Sequence, residues 1–356
     1  MSDYKTELKK ILTLVNLDTL PEQINSVTKL INEKDLAHFF IDSIYLKNVI
    51  AYIIEEHWIQ SKNSTNDIYF DRFIKKYFDA ELKPLLFLHS YFLSTNIEEM
   101  HTSVKALAQT EKLVISFIKS SPFPFQKTVL QIALARMSEL FELEHQMNSD
   151  EEKKPSDTKL SLYRSFDSLD QIFDLDYLLN EVPALDQKER LYEGAGVGVQ
   201  SSYATTLIAL RYLNLAKGSR FIDLGSGYGR IGLVIGLMRP DIQFTGYEFV
   251  QERVAIANKA SVHFNLNQHV NFIAQDLSSP EFKIPMADTY YIFDAFTDSS
   301  FKTIIEQLQV LTATRKITVV TKGNAKMWMS KTFWSAPQEF NDGNLCLFRS
   351  SSSVKS

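Results

Sequence analysis

The sequence predicts a chain in two parts, an all-α domain followed by an α/β doubly wound domain on a mainly parallel sheet. Three observations carry this. All 12 glycines lie at or beyond Gly194, and the first 193 residues contain none. A β-rich region of that length needs glycine for turns with positive φ, whereas helices joined by polar loops do not. After Gly194, short β-branched and aromatic runs alternate with helical segments, the grammar of a parallel sheet with right-handed crossovers and helices on both faces. One of those runs, Arg220–Leu224, passes straight into a glycine-rich turn and then a helix.

Taken in order, helices are expected to start near Lys5, after the turn at Pro21 and near Leu36. Others cover Asp67–Leu93, Ile97–Thr110 and Pro124–Met147. Apolar residues recur there at helical spacing, as in Leu8, Ile11, Leu12 and Val15, or Val129, Ile132, Ala133 and Met137. The dense aromatics of this region (Phe40, Tyr45, Tyr52, Trp58, Tyr69, Phe73, Phe78 and Phe92 among them) read as a packed helical core rather than a partner groove. Residues 1–147 form this all-helical domain. The polar run NSDEEKKPSDTK at 148–159, broken by Pro155, is the linker, and 160–190 are bridging helices with Pro183 ending the apolar stretch Ile172–Val182.

Residues 191–356 form the α/β domain. Strands are expected at Arg220–Leu224, Gln243–Glu248, Val270–Ala274, Thr289–Phe293 and Ile317–Thr321. Helices are expected at Tyr203–Leu213, Gly229–Met238, Gln251–Phe264 and Ser300–Leu311. The apolar segments Thr332–Trp334 and Leu345–Phe348, around the turn at Asn341–Asn344, suit a terminal antiparallel hairpin at the sheet edge.

Charge and composition exclude several function classes. The net charge is −5 overall, −4 over residues 1–155 and −1 over 156–356. Neither half has the basic surplus that phosphate-backbone binding usually leaves, so nucleic-acid substrates are disfavoured. No uncharged apolar run approaches the roughly 20 residues of a membrane span, and the amino terminus lacks a secretory h-region. The single cysteine, Cys346, sits in an apolar run as a buried structural thiol and excludes an internal disulfide. Together these argue for a reducing, cytoplasmic location. The seven histidines form no ligand-spaced cluster, so no metal is expected, and His263 and His269 flank a solvated turn.

The chemistry concentrates in Gly225-Ser226-Gly227-Tyr228-Gly229. Side chains at Gly225 or Gly227 would keep a ligand off the backbone at the strand's carboxyl end, and Gly229 lets the next helix pack closely on the sheet. Asp223, two residues before the turn, can reach an ammonium or a bound water. Glu248 ends the second strand and suits bidentate bonding to two ribose hydroxyls. Asp276 follows the third strand, where it can accept from an exocyclic adenine amine. A dinucleotide site would need Gly-x-Gly-x-x-Gly, but Arg230 stands three residues after Gly227. An acid beside a pyrophosphate would also repel it.

On these residues, 191–321 resemble a class I S-adenosylmethionine-dependent methyltransferase. FIDLGSGYGR is similar to the family's first motif, and Thr245-Gly246-Tyr247-Glu248 to its second-strand acid. The wording DLGSGYGR with GYEFVQERVAIA, and Leu191-Tyr192-Glu193-Gly194 upstream, resembles the Dot1-like protein-lysine subgroup. The resemblance implies a Rossmann-like, seven-stranded domain with S-adenosyl-L-methionine as cofactor. The binding set it implies is Tyr192, Glu193, Asp223, Gly225, Ser226, Gly227, Gly229, Glu248, Phe249, Asp276 and Leu277. Asp223 and the glycines face the methionine, Glu248 the ribose, and Asp276 with Leu277 the adenine.

Phe293-Asp294-Ala295-Phe296 lacks both the asparagine of Dot1-like enzymes and the Asn-Pro-Pro-Tyr signature of enzymes that methylate adenine or glutamine amides. Asp294, at the fourth strand's end, either orients the acceptor and takes its proton or caps the element that follows. Asp298 is expected to cap a helix from Ser300. Tyr192, Glu193 and Tyr203 belong either to a cofactor lid or to a plain lead-in to the helix at Tyr203. A protein side chain, lysine first, is the favoured acceptor. The alternatives are a small molecule, with the helical domain as lid or dimerisation unit, and a scaffold that binds the cofactor without turnover.

Overall fold

The computed structural model describes residues 32–63, 69–79, 88–148, 165–175, 200–293, 296–340 and 344–351. The helices expected near Lys5 and Pro21 lie outside these. The chain divides into two compact units between Phe166 and Asp167, within the stretch assigned to bridging helices.

The first unit is helical: α1 (Glu33–Asn63), α2 (Phe70–Asp79), α3 (His89–Ser94), α4 (Ile97–Ser120) and α5 (Phe123–Asn148). The single helix expected over Asp67–Leu93 is two helices, with 80–87 outside the described residues. Asn96 starts α4 with a reciprocal cap, accepting from Glu99 N–H at 2.9 Å while the Glu99 carboxylate accepts from Asn96 N–H at 3.4 Å. α1 packs on α4 and α5. By length and composition it could cross a membrane, yet 67% of its most apolar window is buried. Phe40, Tyr45, Tyr52, Phe73, Phe78 and Phe92 are buried, while Trp58 and Tyr69 are exposed. A bidentate ion pair, Arg136 to Asp42 at 2.9 and 2.8 Å, ties α5 to α1 inside this core.

The second unit opens with a 3₁₀ turn at Asp167–Gln171. It continues through α6 (Tyr203–Leu213), β1 (Arg220–Leu224), α7 (Arg230–Met238), β2 (Gln243–Glu248), α8 (Gln251–His263), β3 (Val270–Ala274) and β4 (Thr289–Phe293). Then come α9 (Asp298–Thr312), β5 (Thr318–Lys322), a 3₁₀ turn at Gly323–Trp328, β6 (Gln338–Phe340) and β7 (Leu345–Arg349). The strands form one seven-stranded sheet in the order β3-β2-β1-β4-β5-β7-β6. β1 to β5 are parallel, and β7 is antiparallel to both β5 and β6. β6 lies later than the expected Thr332–Trp334. Trp334 is instead 2% exposed in the core and makes only an isolated bridge to Ser350. α9 starts at Asp298 with Thr297 at its N-cap, two residues before the expected start, so Asp298 is a first-turn acid rather than a cap.

Register divides the sheet into two faces. Ile222, Leu224, Tyr247, Ile292 and Val319 bury against Phe301, Ile304 and Leu308 of α9. The opposite face carries Phe221, Phe244 and Phe272, with ring centroids 5.7 and 5.6 Å apart. α7 and α8 lie over it. Close packing there demands Gly229, whose φ is +86°. A Cβ on it would come within 2.7 Å of both Phe272 and Ala257. Cys346 is buried on β7, and burial pushes its thiol up. His263 is exposed on α8 and His269 is half-buried with Nε2 3.3 Å from the Gly236 carbonyl, while Asn265, Asn267 and Gln268 of the turn between them are exposed.

Candidate active site

β1 delivers the chain to the sheet's carboxyl edge, where Gly225–Gly229 turn it into α7. The turn hangs from β2. Gly225 and Ser226 N–H both donate to the Tyr247 carbonyl at 2.9 Å, and Gly227 N–H donates to Glu248 Oε2 at 2.9 Å. Gly227 has φ +53°, and a Cβ there would strike the Gln200 amide at 2.6 Å.

Asp223 stands in register with Gly246 on one side and Tyr291 on the other. It is 2% exposed, and its Oδ2 has no hydrogen-bond partner among the described residues. Burial, and then the charge of Glu248, hold its carboxyl well above the usual carboxylate range. A buried acceptor without a donor is costly, and such an orphan in a folded protein calls for an explanation. A cationic group beside it would satisfy the oxygen and favour the charged form. The carboxylate next to a glycine-rich turn therefore fits the ammonium end of S-adenosylmethionine. Ser226 Oγ, also buried without a partner, adds a second polar atom at the turn.

Glu248 ends β2 and is 6% exposed. Its Oε1 accepts from Val250 N–H at 3.0 Å and Arg253 Nη1 at 3.4 Å, while Oε2 holds Gly227. The acid assigned to ribose is thus also a structural part of the glycine turn, and a ribose hydroxyl would share it with these donors. Asp276 is half-buried just past β3. Its Oδ1 accepts from Ser278 N–H at 2.9 Å and from the Ser278 hydroxyl, so it caps the turn that follows. Leu277 points into the core cluster with Ile284, whereas Phe249 is 39% exposed at the end of β2. Tyr192, Glu193 and Asp294 lie outside the described residues.

Sequence reasoning missed a buried network behind the turn. Arg230, the first residue of α7, is 4% exposed. Its guanidinium donates from Nε to Asp170 Oδ1 at 3.0 Å, from Nη2 to Asp170 Oδ2, and from Nη1 to the Ser201 carbonyl at 2.9 Å. It lies 3.0 Å from Asp167 Oδ1 and sits 4.9 Å over the Tyr203 ring. Tyr203 donates to Asp170 at 2.6 Å and is fully buried, which places it in this network and not in a solvent-facing lid. Ser201 Oγ and Tyr291 OH are 2.7 Å apart, and burial first, then nearby Asp223, raise the Tyr291 phenol. A signal was present: an arginine at a helix N-terminus opposes the helix dipole and must be compensated elsewhere.

A family model described as "Methyltransferase domain" matches residues 215–346. Ribosomal RNA small subunit methyltransferase G of Shewanella piezotolerans is 27% identical over 93 residues, 26% of this chain and 41% of that protein, so the chain spans well under two thirds of its relative. Among solved structures, an RNA methyltransferase from Salinibacter ruber in complex with S-adenosyl-L-homocysteine aligns with TM-score 0.35 and 17% identity over 44% of this chain and 100% of that one. TrmN from Thermus thermophilus aligns with TM-score 0.33 and 17% identity over 41% and 47%. The expectation that nucleic acid is disfavoured and a protein acceptor favoured is overturned by the first of these relatives, which by its name acts on ribosomal RNA. That expectation rested on summed charge, and a sum over a domain says nothing of how its charges are segregated.

Proposed function

We infer, from a class I S-adenosylmethionine-dependent methyltransferase domain at residues 215–346, that the protein methylates RNA. The observation that carries the transferase reading is the buried, partnerless carboxylate oxygen of Asp223 beside a glycine turn. The acceptor class is supported by the ribosomal RNA methyltransferase that is 27% identical to this chain over 93 residues.

When bound, S-adenosylmethionine supplies a methyl group already activated on a sulfonium, open to in-line displacement. The protein's residues then have three tasks. Asp223 holds the ammonium and so fixes one end of the cofactor. Glu248 holds the glycine turn in shape and offers its carboxylate to the ribose, with Asp276 and Phe249 further along the edge. At the end of β4, Asp294 is the proposed acceptor-side residue, orienting the acceptor or taking its proton. Alignment of acceptor and donor and exclusion of water supply most of the acceleration such a reaction needs.

The test is to incubate the full chain with methyl-labelled cofactor and a cell lysate, then separate RNA, protein and small molecules. Label in the RNA fraction, lost in Asp223→Ala, is the expected outcome. Label confined to protein or small molecules overturns the acceptor assignment, and no transfer at all overturns the enzyme.

A further inference from the structure

Charge is unevenly spread along the carboxyl edge of the sheet, where Asp294 and Asp298 come after β4 in sequence. Asp223 near the end of β1, Glu248 at the end of β2 and Asp276 just past β3 mark the side on which the cationic cofactor would sit. On the other side of β4 the chain runs from Gln307 to Gln338 without one acidic residue and with five cations: Arg315, Lys316, Lys322, Lys326 and Lys331. The first two precede β5 at the far edge. The last three follow one another out of the carboxyl end of β5.

This segment is a fixed ledge. Lys322 closes the register opposite Phe293, the residue before Asp294, and its Nζ lies 4.2 Å over the Phe293 ring. Gly323 N–H donates to the Asn344 backbone at 2.9 Å. Ala325 is fully buried, and Trp328 stacks parallel on Phe301 of α9 with centroids 5.9 Å apart. Trp334 is buried at the far end. Between these anchors Met327 is 78% exposed, the highest value for any large apolar side chain among the described residues, and Lys331 and Phe333 are exposed beyond it. A pinned backbone that presents methionine and phenylalanine among lysines resembles no ordinary solvated turn. Cations that track a backbone, with an aromatic group such as Phe333 on which a base can stack, are features that single-stranded RNA surfaces use.

We propose that the ledge from Lys322 to Phe333 is the RNA-binding surface of the enzyme: Lys326 and Lys331 contact phosphates, and Met327 covers a base beside the acceptor position. This rests on the RNA reading given above. Its test uses the full chain and a fluorescein-labelled oligouridine, with anisotropy titrated across a range of salt. Lys326→Gln/Lys331→Gln should weaken binding, and the log–log salt slope should fall by about 0.7 per lysine. Met327→Ser should weaken binding about tenfold, the worth of covering one such side chain. Affinity for S-adenosylhomocysteine, measured by calorimetry, should not change, and Lys259→Gln on α8 should leave RNA binding as it was. If wild type binds RNA and the ledge variants match it in affinity and slope, the ledge is misassigned and the RNA reading stands. If wild type binds S-adenosylhomocysteine but no RNA, both fall. Tighter binding of labelled polyglutamate than of oligouridine, lost in the double variant, overturns RNA in favour of an acidic protein partner.

Discussion

Asp223→Asn should make the empty protein more stable while it weakens the cofactor, and this opposition is a sharp test of the site. The substitution keeps the shape of a side chain that is 2% exposed and whose Oδ2 has no donor among the described residues. Burial and the charge of Glu248 raise the carboxyl pKa in the folded state. The sign follows from the proton balance. Below the unfolded value of about 3.9 both states are protonated and nothing is lost. As pH rises past it, the unfolded chain releases its proton while the native state retains it. Native stability therefore falls until the folded pKa is reached, and above that the whole penalty is present.

Asparagine cannot ionise, so the variant escapes this loss but leaves a neutral amide partly unsatisfied. An unpaired neutral polar group costs about 1–3 kcal/mol and a charge more, so the net gain is on the order of 1 kcal/mol at pH 8. For a unit running from Asp167 to Ser356, that is roughly 2–4 °C in Tm. With the ammonium partner gone, affinity for S-adenosylhomocysteine should drop by about 1.5–3 kcal/mol, or about 10- to 150-fold. Thermal melts at pH 5 and pH 8, with and without S-adenosylhomocysteine, read both effects. An apoprotein destabilised by the substitution at pH 8, or a ligand-induced shift in Tm equal to that of wild type, would refute the assignment.

Two further outcomes follow from the same geometry. Glu248→Ala should cost about 1.5–3 kcal/mol of cofactor affinity. It should also lower Tm, because Gly227, Val250 and Arg253 lose their common acceptor; calorimetry showing unchanged affinity would mean the second-strand acid does not serve the ribose. Arg230→Met should destabilise the protein by roughly 3–5 kcal/mol, since it strands Asp170 as a buried charge. Combining it with Asp170→Asn should recover much of that loss in urea unfolding, and strictly additive effects would show that the pair is not coupled.

The core of the fold was legible because β1, β2 and β4 are largely buried parallel strands, with the alternating edge strand β3 beside them. They read as short runs rich in apolar, aromatic and β-branched residues, and their ends fall where expected. Apolarity reports burial, however, not pairing, and the errors follow from that. Ile317 is buried but precedes β5 by one residue. Trp334 is core yet outside the strands, while Gln338-Glu339-Phe340, polar and half-open, is the edge strand. In the site, the acids and glycines were visible because each lies at or just past the carboxyl end of a strand. The Arg230 network was not, since Asp170 and Tyr203 are separated from it in sequence and only the fold brings them together.

Summed charge misled for a physical reason. Charges act on a surface partner over about one Debye length, roughly 8–10 Å at physiological salt, so a partner feels a patch and never the domain total. A domain whose one edge must hold a cationic cofactor and a polyanionic acceptor side by side needs acids on one flank and lysines on the other. The two sets cancel in the sum. A net charge of −1 over residues 156–356 is compatible with such an edge, so its near-neutrality carries no argument against nucleic acid. The sign of each strand-end loop, read in the order β3-β2-β1-β4-β5, is the quantity that does.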